Sequence, residues 1–459
     1  MFFQHKRLWQ AGLCLGLGML VWTLNGPSAM AKTAKAEQPA NADQTQAQKA
    51  VEVPTAQAAT TRAQAPVHAI QSVRLTWPLV SGAVQYEVVV KRTADAQAAD
   101  VVWQQKQIFT NGVEVKLAQY GSAASEFFWQ VRPLDYSGKP IGGFSDLQPV
   151  TAAGNTLNPT APLPTTQFEQ MDYMPLYPVY SWVPTAGAKQ HVVQVWREKN
   201  FQDVLIRTLP AEEYDIYEDG GYTVPGRYFW RVRAVAADGT PLSGWSQKVH
   251  FRVENKAPIA ALGDSITHGG GVMSVPPGYT LYDWETYSPV PVKNLGYSGN
   301  TTADMLARFE RDVLPFQPRV LVVMGGVNDY RGGTLGWTTV ENLAAIRDKC
   351  NVYGIIPVFM TVTPINPALF SRAGIETPPT DWQVHQQYIN AWVMSQQYAV
   401  DVSTMLTDGA GCLRRDYTTD GLHPDYFGKK YIGETIGHYL AQHFPWITNT
   451  LVKKQPVQG

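Results

Sequence analysis

The hydrophobic pattern divides the chain into two halves that follow different periods. From about residue 68 to residue 254, apolar and polar residues alternate in short runs separated by turn residues, as in antiparallel strands with one buried face. From residue 257 onward, short and almost wholly apolar runs alternate with longer segments of helical character. Such alternation is typical of a parallel sheet covered by helices on both faces. The pattern therefore predicts all-β modules followed by an α/β domain.

The all-β half contains an internal repeat. The pattern of segment 73–78, which contains Trp-Pro, recurs at 179–184. The aromatic-Trp-x-Val-Arg strand at 127–132 recurs at 228–233. These motifs resemble fibronectin type III or other immunoglobulin-like modules, which implies two β-sandwiches. We expect the tryptophans of the repeat to pack in the two cores rather than to bind a ligand: Trp77, Trp129, Trp182 and Trp230.

Composition and turn residues indicate the domain boundaries of this half. We place the first sandwich at residues 68–151 and the second at 171–254, with a linker rich in Pro and Thr at 152–170. Only residues 254–258 separate the second sandwich from the next predicted strand, so those two domains are expected to be nearly in contact.

The second half is predicted to form a three-layer, flavodoxin-like α/β domain at residues 257–445, followed by a tail at 446–459. The predicted strands are 259–263, 291–295, 320–324, 355–361 and 399–403. The predicted helices are 302–313, 338–350, 381–397 and 425–442. Two stretches rich in Gly or Pro, 268–289 and 364–380, show no helical period and predict irregular loops that shape a pocket.

The N-terminus has the pattern of an export signal. Two basic residues precede an apolar run of about 15 residues, and Ser28–Ala31 has the small residues of a secretory cleavage site. A retained membrane anchor is the alternative, but spanning a bilayer needs about 20 apolar residues. We therefore predict a signal peptide at 1–31 and a disordered linker at 32–67. The mature protein would be periplasmic, bound to the cell surface or secreted.

Composition limits the partners and cofactors. The 37 basic and 38 acidic residues give a net charge of -1, so neither nucleic acid nor an anionic membrane surface is an expected partner. The sequence contains no His-Glu-x-x-His, Cys-x-x-Cys or phosphate-binding Gly-Lys-Ser/Thr pattern, so we expect no metal and no cofactor. Cys350 and Cys412 fall at opposite edges of the predicted sheet, which predicts two free thiols.

Four short motifs bring candidate chemistry to the α/β half. Gly263–Thr267, Asn294–Thr302 and Gly325–Asp329 each lie at or just after the end of a predicted strand, and Asp420–Pro424 lies near the C-terminus. Because parallel strands end at the same edge of a sheet, the first three motifs should converge there. Together the four motifs resemble the SGNH (GDSL-type) hydrolases. The resemblance covers roughly residues 257–445 and does not extend to the first half.

The motifs contain the residues of a nucleophile and its base. A Ser hydroxyl reacts poorly near neutral pH, and a neighbouring imidazole is the usual group that takes its proton. His423 is the candidate base for Ser265, and Asp420 can hold the imidazole in the required tautomer.

The resemblance further implies an oxyanion hole for the tetrahedral intermediate. Matched to this sequence, its donors are the backbone N–H of Ser265, the backbone N–H of Gly299 and the side-chain amide of Asn328. We assign Asp264 and Asp329 to holding the loops. His268 is expected to be a solvated loop residue, with substrate contact as the alternative.

These assignments predict an exported serine esterase that hydrolyses carboxylic esters through an acyl-enzyme. Aromatic residues in the loop beside Ser265, without a continuous aliphatic wall, favour an acylated glycan as substrate. Two alternatives stay open, a lipase or lysophospholipase and a non-catalytic envelope-binding protein on the same fold. The sandwiches are expected to contact a cell-envelope polymer and to be dispensable for hydrolysis of small esters.

Overall fold

The computed structural model describes residues 72–95, 100–121, 126–135, 137–150, 161–200, 202–269 and 279–451. The predicted signal peptide and the linker at 32–67 lie outside these residues. Within them the predicted fold class is confirmed, because two sets of antiparallel sheets precede a five-stranded parallel sheet with helices. None of the helices in the described ranges is long and apolar enough to cross a bilayer.

Sandwich 1 combines a two-stranded and a four-stranded antiparallel sheet. Its strands are β1 (Val73–Thr76), β2 (Gln85–Lys91), β3 (Val101–Ile108), β4 (Gly112–Val115), β5 (Phe128–Leu134) and β6 (Gln148–Pro149). The strand orders are β1-β4 and β3-β2-β5-β6. Trp77 and Trp129 lie in the buried cluster between the sheets, as the repeat predicted.

Sandwich 2 repeats this plan and adds one short strand. Its strands are β7 (Leu163–Pro164), β8 (Val179–Val183), β9 (Gln190–Lys199), β10 (Gln202–Ala211), β11 (Asp215–Tyr217), β12 (Gly226–Val235) and β13 (Val249–Val253). The orders are β11-β8-β7 and β10-β9-β12-β13. Trp182 and Trp230 are buried in its core.

The linker predicted at 152–170 is too long at its C-terminal end. Leu163 and Pro164 pair with β8, and a 3-10 turn at Phe168–Gln170 places the buried Phe168 against Tyr180. Residues 161–170 are therefore part of sandwich 2. A two-residue strand and one buried ring in a stretch rich in Pro and Thr leave no periodic pattern to detect.

The α/β domain has a parallel sheet of order β15-β14-β16-β17-β18. Its strands are β14 (Ile259–Gly263), β15 (Lys293–Asn294), β16 (Val320–Met324), β17 (Ile356–Met360) and β18 (Ala399–Val400). The helices are α1 (Ser265–His268), α2 (Thr302–Ala307), α3 (Phe309–Val313), α4 (Val327–Arg331), α5 (Gly336–Val352), α6 (Trp382–Met394), α7 (Ser403–Leu406), α8 (Tyr426–His443) and α9 (Pro445–Thr448). Further 3-10 turns lie at Tyr279–Tyr282, Trp284–Tyr287, Leu314–Phe316 and Pro367–Ala373.

The apolar runs of β14 and β16 explain why these strands are central. All five residues of each strand are buried, as expected when both faces of a sheet are covered. Strand β14 has β15 on one side and β16 on the other, so the chain reverses direction across the sheet at β14. Crevices at such reversal points are where open α/β sheets bind ligands.

Sandwich 2 covers the edge of this sheet. Leu176 donates its backbone N–H to the carbonyl of Asn294 in the edge strand β15, at 2.9 Å. Leu176 and Tyr177 belong to the same buried apolar cluster as the α/β core. An unpaired sheet edge is an aggregation hazard that proteins usually cover. Sandwich 2 is thus packed into the α/β domain rather than tethered beside it.

A buried lysine reinforces this junction. Lys293 of β15 donates from Nζ to the carbonyl of Met174, and Glu254 lies 3.4 Å from the same ammonium. Burial lowers the pKa of Lys293 to about 8, although the Glu254 carboxylate opposes the shift.

Candidate active site

The first motif forms a tight strand-to-helix connection. Strand β14 ends at Gly263, and Ser265 is the first residue of the one-turn helix α1. Asp264 caps that helix, because its Oδ1 accepts a hydrogen bond from the N–H of Ile266 at 2.9 Å. Burial raises the pKa of Asp264 to about 6, against the opposing effects of this hydrogen bond and of the nearby His423. Asp264 therefore holds the turn that presents Ser265.

Ser265, His423 and Asp420 form a continuous hydrogen-bonded chain. Ser265 Oγ lies 3.0 Å from His423 Nε2, and His423 Nδ1 lies 2.7 Å from Asp420 Oδ2. Ser265 and His423 are each 6% exposed, and Asp420 is 1% exposed. Because an ionised carboxylate only accepts hydrogen bonds, Nδ1 carries the proton and Nε2 is free to accept one from the hydroxyl.

The neighbouring His423, helped by backbone donors, keeps Asp420 ionised. Burial alone would raise the pKa of Asp420, but the charge of His423 and the hydrogen bonds from His423 and Leu422 outweigh it, so the pKa lies below its ordinary value. The N–H groups of Leu422 and His423 each donate to Asp420 Oδ1 at 2.8 Å. The carboxylate is thus fixed in the orientation that the imidazole needs.

Gly421 shapes the loop between the acid and the base. Its φ is +83°, in the left-handed region, and a Cβ added there would lie 2.3 Å from the carbonyl oxygen of Asn366. Asn366 in turn donates its N–H to the carbonyl of Gly421 at 2.6 Å. Only glycine permits this close approach without strain, which explains the spacing of the Asp-Gly-Leu-His motif.

The proposed oxyanion donors lie on neighbouring loops. Gly299 has a φ of +82°, and the side-chain amide of Asn328 donates to the carbonyl of the adjacent Asn300 at 2.9 Å. The structure therefore brings Asn328 next to Gly299. Within the described residues, the N–H groups of Ser265 and Gly299 donate to no protein acceptor, as a group that awaits an oxyanion should.

Asp329 connects the second and third motifs. Its carboxylate accepts hydrogen bonds from both the N–H and the hydroxyl of Thr302, the first residue of α2. Burial raises the pKa of Asp329, against these hydrogen bonds. This contact fits the loop-holding role that the sequence indicated.

Three long cationic side chains that the sequence analysis missed also support the site. Arg308 donates to the carbonyls of Gly263 and Leu295 at 2.7 Å each, which ties the first motif to the second. Arg331 lies 3.3 Å from Asn328 Oδ1 and so orients that amide. Lys429 of α8 donates to the carbonyl of Ile266 in α1. None of the three lies in a motif with an assigned role, and only the i,i+3 spacing of Arg331 from Asn328 could have indicated one of them.

The prediction of a solvated His268 is wrong. His268 is buried at the end of α1, and its Nε2 lies 2.7 Å from the carbonyl of Tyr177 in sandwich 2. Its Nδ1 accepts the N–H of Ser298 at 3.1 Å. Burial lowers the pKa of His268 to about 4, so the ring is neutral. This histidine therefore connects the nucleophile helix, the Gly299 loop and sandwich 2.

The loop beside Ser265 also differs from expectation. Its described part, from residue 279, folds into two 3-10 turns in which Tyr282 and Trp284 are buried. A Cβ at Gly433 of α8 would lie 2.1 Å from the carbonyl of Trp284. These aromatic side chains pack against α8 and do not form an open substrate wall, because glycines in α8 let the loop approach closely.

Comparisons with known proteins agree with the four motifs. Residues 261–430 match the model of the GDSL-like lipase/acylhydrolase family. The chain is 38% identical over 80 residues to the uncharacterized lipoprotein YqeF of Bacillus subtilis (strain 168), a match that covers 16% of this chain and 33% of that protein. The chain thus matches about a third of the length of that relative.

Solved structures align with about two fifths of the chain. A GDSL-like lipase from Bacteroides thetaiotaomicron is 24% identical, over 40% of this chain and 87% of the other, with a TM-score of 0.34. A lipase/acylhydrolase from Enterococcus faecalis is 22% identical, over 44% and 98%, with a TM-score of 0.34. An acetylxylan esterase from Geobacillus stearothermophilus is 18% identical, over 41% and 95%, with a TM-score of 0.31.

All four motifs lie inside the matched range, and the chain therefore contains, at residues 261–430, a domain of the GDSL-like lipase/acylhydrolase family.

Proposed function

We propose that the protein is an exported serine esterase in which Ser265 attacks the carbonyl carbon of a carboxylic ester. The observation that carries the proposal is the chain of contacts from Ser265 Oγ to His423 at 3.0 Å and from His423 to Asp420 at 2.7 Å. Nucleophile, base and orienting carboxylate in this order are the components of a serine hydrolase triad.

The proposed reaction has two stages, formation of an acyl-enzyme and its hydrolysis. His423 Nε2 takes the proton of Ser265 as Oγ bonds to the acyl carbon, and Asp420 stabilises the resulting imidazolium. The oxyanion accepts hydrogen bonds from the N–H groups of Ser265 and Gly299 and from the amide of Asn328. His423 then protonates the leaving alcohol, and an acyl-enzyme remains. Water, deprotonated by His423, releases the acid and restores Ser265.

Hydrolysis of 4-nitrophenyl acetate by the purified protein tests this proposal. Ser265→Ala and His423→Ala should each reduce kcat by about 10⁴-fold or more, because members of a triad act as a unit. Ser395→Ala, a substitution at an exposed serine directly after α6, should leave kcat unchanged. Equal rates for the wild type and Ser265→Ala would instead support a non-catalytic envelope-binding protein.

For the substrate we propose a short-chain ester of a glycan. Polar groups lie beside the Gly299 loop: the Asn328 amide donates to the backbone carbonyl of Asn300, and Arg331 donates to Asn328 Oδ1. A long acyl chain would instead need an extended apolar wall. A series of 4-nitrophenyl esters should therefore give its highest kcat/KM at two or three carbons, and acetate should be released from acetylated xylan. A maximum at eight carbons or longer would assign the protein as a lipase or lysophospholipase.

Export is the last part of the proposal. The signal pattern at residues 1–31 supports it, and the Bacillus relative is named a lipoprotein, which is consistent with an envelope location. Expression in the native host followed by N-terminal sequencing should give a mature chain that begins close to residue 32. Recovery of an uncleaved chain from the cytosol would refute export.

A further inference from the structure

The outer surface of the four-stranded sheet of sandwich 2 carries a continuous stack of aromatic and cationic side chains, called here the ladder. Its members contact one another in the following order: Lys248, Phe229, Trp196, Arg231, Trp245 and Arg233. The guanidinium carbons of Arg231 and Arg233 each lie 4.4 Å from the ring centroid of Trp245. Both arginines and Trp245 are half-exposed, so a ligand in solution can reach them.

The two arginines of the ladder lack acidic partners. Lys248 is paired with Asp203 at 3.1 Å, but Arg231 donates to the uncharged amide of Gln194. In the described ranges Arg233 Nε is buried without a hydrogen-bond partner, and neither arginine forms an ion pair. Burial, and then the like charge of Arg233, lower the pKa of Arg231, and Asp203, which is paired with Lys248, opposes this only in part. Two guanidinium groups thus lie close together with their charge unbalanced.

Sandwich 1 shows what a balanced version of this surface contains. There the guanidinium carbon of Arg132 lies 4.4 Å from the ring centroid of Phe144. Arg233 has the equivalent position in sandwich 2, at the same distance from the ring of Trp245. Arg132 is cross-strand from Glu87 and pairs with its carboxylate at 2.6 Å. In sandwich 2 the residue cross-strand from Arg233 is Val192. The acid that neutralises the first copy is therefore replaced by an apolar residue in the second.

We propose that the ladder of sandwich 2 binds an acidic polysaccharide through carboxylates that pair with Arg231 and Arg233. Guanidinium groups pair with carboxylates through two parallel hydrogen bonds, and such charge-assisted bonds are about twice as strong as neutral ones. Residues two apart on a strand are about 7 Å apart, so the arginines present two anion sites side by side on an extended surface. Trp245 between them keeps both groups ordered before binding, which lowers the entropic cost of association.

This inference goes beyond the proposed esterase. Anion binding by the ladder does not depend on the chemistry at Ser265, and only the assignment of the anion as a glycan rests on the proposed function. The charge of the whole chain is close to zero, so binding would be a local property of this face.

Binding of the full-length mature protein to immobilised polygalacturonate at low salt tests the proposal without any catalytic readout. Arg233→Gln should weaken binding about tenfold, the equivalent of one lost charge-assisted pair, and Arg231→Gln/Arg233→Gln should abolish it. Arg227→Gln is the matched control, because it removes the same charge from the same strand at a site outside the ladder that Glu198 already neutralises. Its affinity should stay within about twofold of the wild type.

A reciprocal variant tests the charge balance itself. Val192→Glu places a carboxylate where sandwich 1 has Glu87 and should reduce binding as strongly as Arg233→Gln does. Thermal melting of each variant separates loss of binding from loss of folding. Unchanged affinity in the folded double arginine variant, equal binding to neutral xylan, or tighter binding to phosphatidylglycerol vesicles than to polygalacturonate would each overturn the proposal. Loss of esterase activity in Ser265→Ala has no bearing on this binding test.

Discussion

The two sandwiches share a strand plan, yet they are attached to the α/β domain in different ways. Sandwich 2 contributes Leu176 and Tyr177 to the α/β core and accepts hydrogen bonds from His268 and Lys293. Sandwich 1 reaches the same domain through the hydroxyl of Tyr282, which lies 3.2 Å from the carbonyl of Ala83. One repeat thus supports the α/β domain, whereas the other lies against its periphery.

The difference shows that a repeated sequence pattern specifies a fold but not its role in the assembly. The strands and core tryptophans are the same in both copies because they build the same sandwich. The contacts with the α/β domain come mainly from residues 174–177, which precede β8, and from the end of β11 with the loop that follows it, through Tyr217 and Asp219. Sandwich 2 is therefore expected to be part of the catalytic unit, contrary to the expectation that both modules are dispensable.

Removing each sandwich should have opposite consequences. A chain that begins at residue 257 loses Leu176 and Tyr177 from the core, a cost of about 5 kcal/mol or more, comparable with the whole stability of many domains. We expect it to be insoluble or unfolded. A chain that begins at residue 161 should fold and keep kcat on 4-nitrophenyl acetate within about twofold. Equal melting temperatures and activities for the two truncated chains would contradict this division.

Single substitutions should likewise cost more stability at the junction with sandwich 2 than at the junction with sandwich 1. His268→Ala leaves the N–H of Ser298 and the carbonyl of Tyr177 without partners and creates a cavity, so unfolding by urea should show a loss of about 3 kcal/mol. Because Ser298 precedes Gly299, kcat should also fall. Tyr282→Phe removes one hydrogen bond to sandwich 1 and should cost about 1 kcal/mol with kcat unchanged. A larger loss of unfolding free energy in Tyr282→Phe than in His268→Ala would mean that sandwich 1, not sandwich 2, is the supporting module.

The His268 junction should also depend on pH. Burial lowers the pKa of His268 to about 4, whereas the unfolded chain has a value of about 6.5. Between these values the unfolded state binds a proton that the folded state does not, so the contribution of His268 is complete above pH 6.5. It should be lost as the pH falls towards 4, by up to about 3 kcal/mol.

The difference in unfolding free energy between the wild type and His268→Gln isolates this effect, because the buried carboxyls titrate equally in both proteins. Asp264, for example, has a pKa raised to about 6, so its own contribution to stability grows as the pH falls, but this contribution cancels in the difference between the two proteins. The difference should shrink from pH 7 to pH 4. A difference that is constant over this range would show that His268 does not titrate as its burial requires.

The smallest expected effect lies where the two sandwiches are alike. Ser246 Oγ accepts the N–H of Val232 at 3.0 Å, and Ser145 Oγ accepts the N–H of Val131 at 3.2 Å. Replacement of either serine by Ala should cost about 1 kcal/mol, slightly more for Ser246, which is buried. Differential scanning calorimetry of the two variants would measure this. A severalfold larger loss of stability in one sandwich would mean that this serine hydrogen bond does not have the same role in both copies.

Local chemistry in the sequence was sufficient to predict the fold class and to select candidate residues that lie together in the structure. The first and third motifs lie at the ends of strands with unambiguous apolar runs, and the Asp-Gly-Leu-His spacing is short enough that Asp420 reaches His423 within one loop. Such features depend on neighbours along the chain, and they are visible without a structure. The core tryptophans were predictable for the same reason, since each lies in a strand or directly after one.

The tertiary structure alone decided which distant groups meet. His268 looked like a solvated residue in a glycine-rich loop, and only the position of the Tyr177 carbonyl, 91 residues away, makes it a buried connection. Three other features also depend on contacts between distant segments. They are the burial of Phe168 in the predicted linker, the hydrogen bond from Lys429 to Ile266, and the absence of an acid cross-strand from Arg233. Burial and hydrogen bonding between remote segments follow from how whole domains pack, and that packing leaves no periodic pattern at the residues it uses.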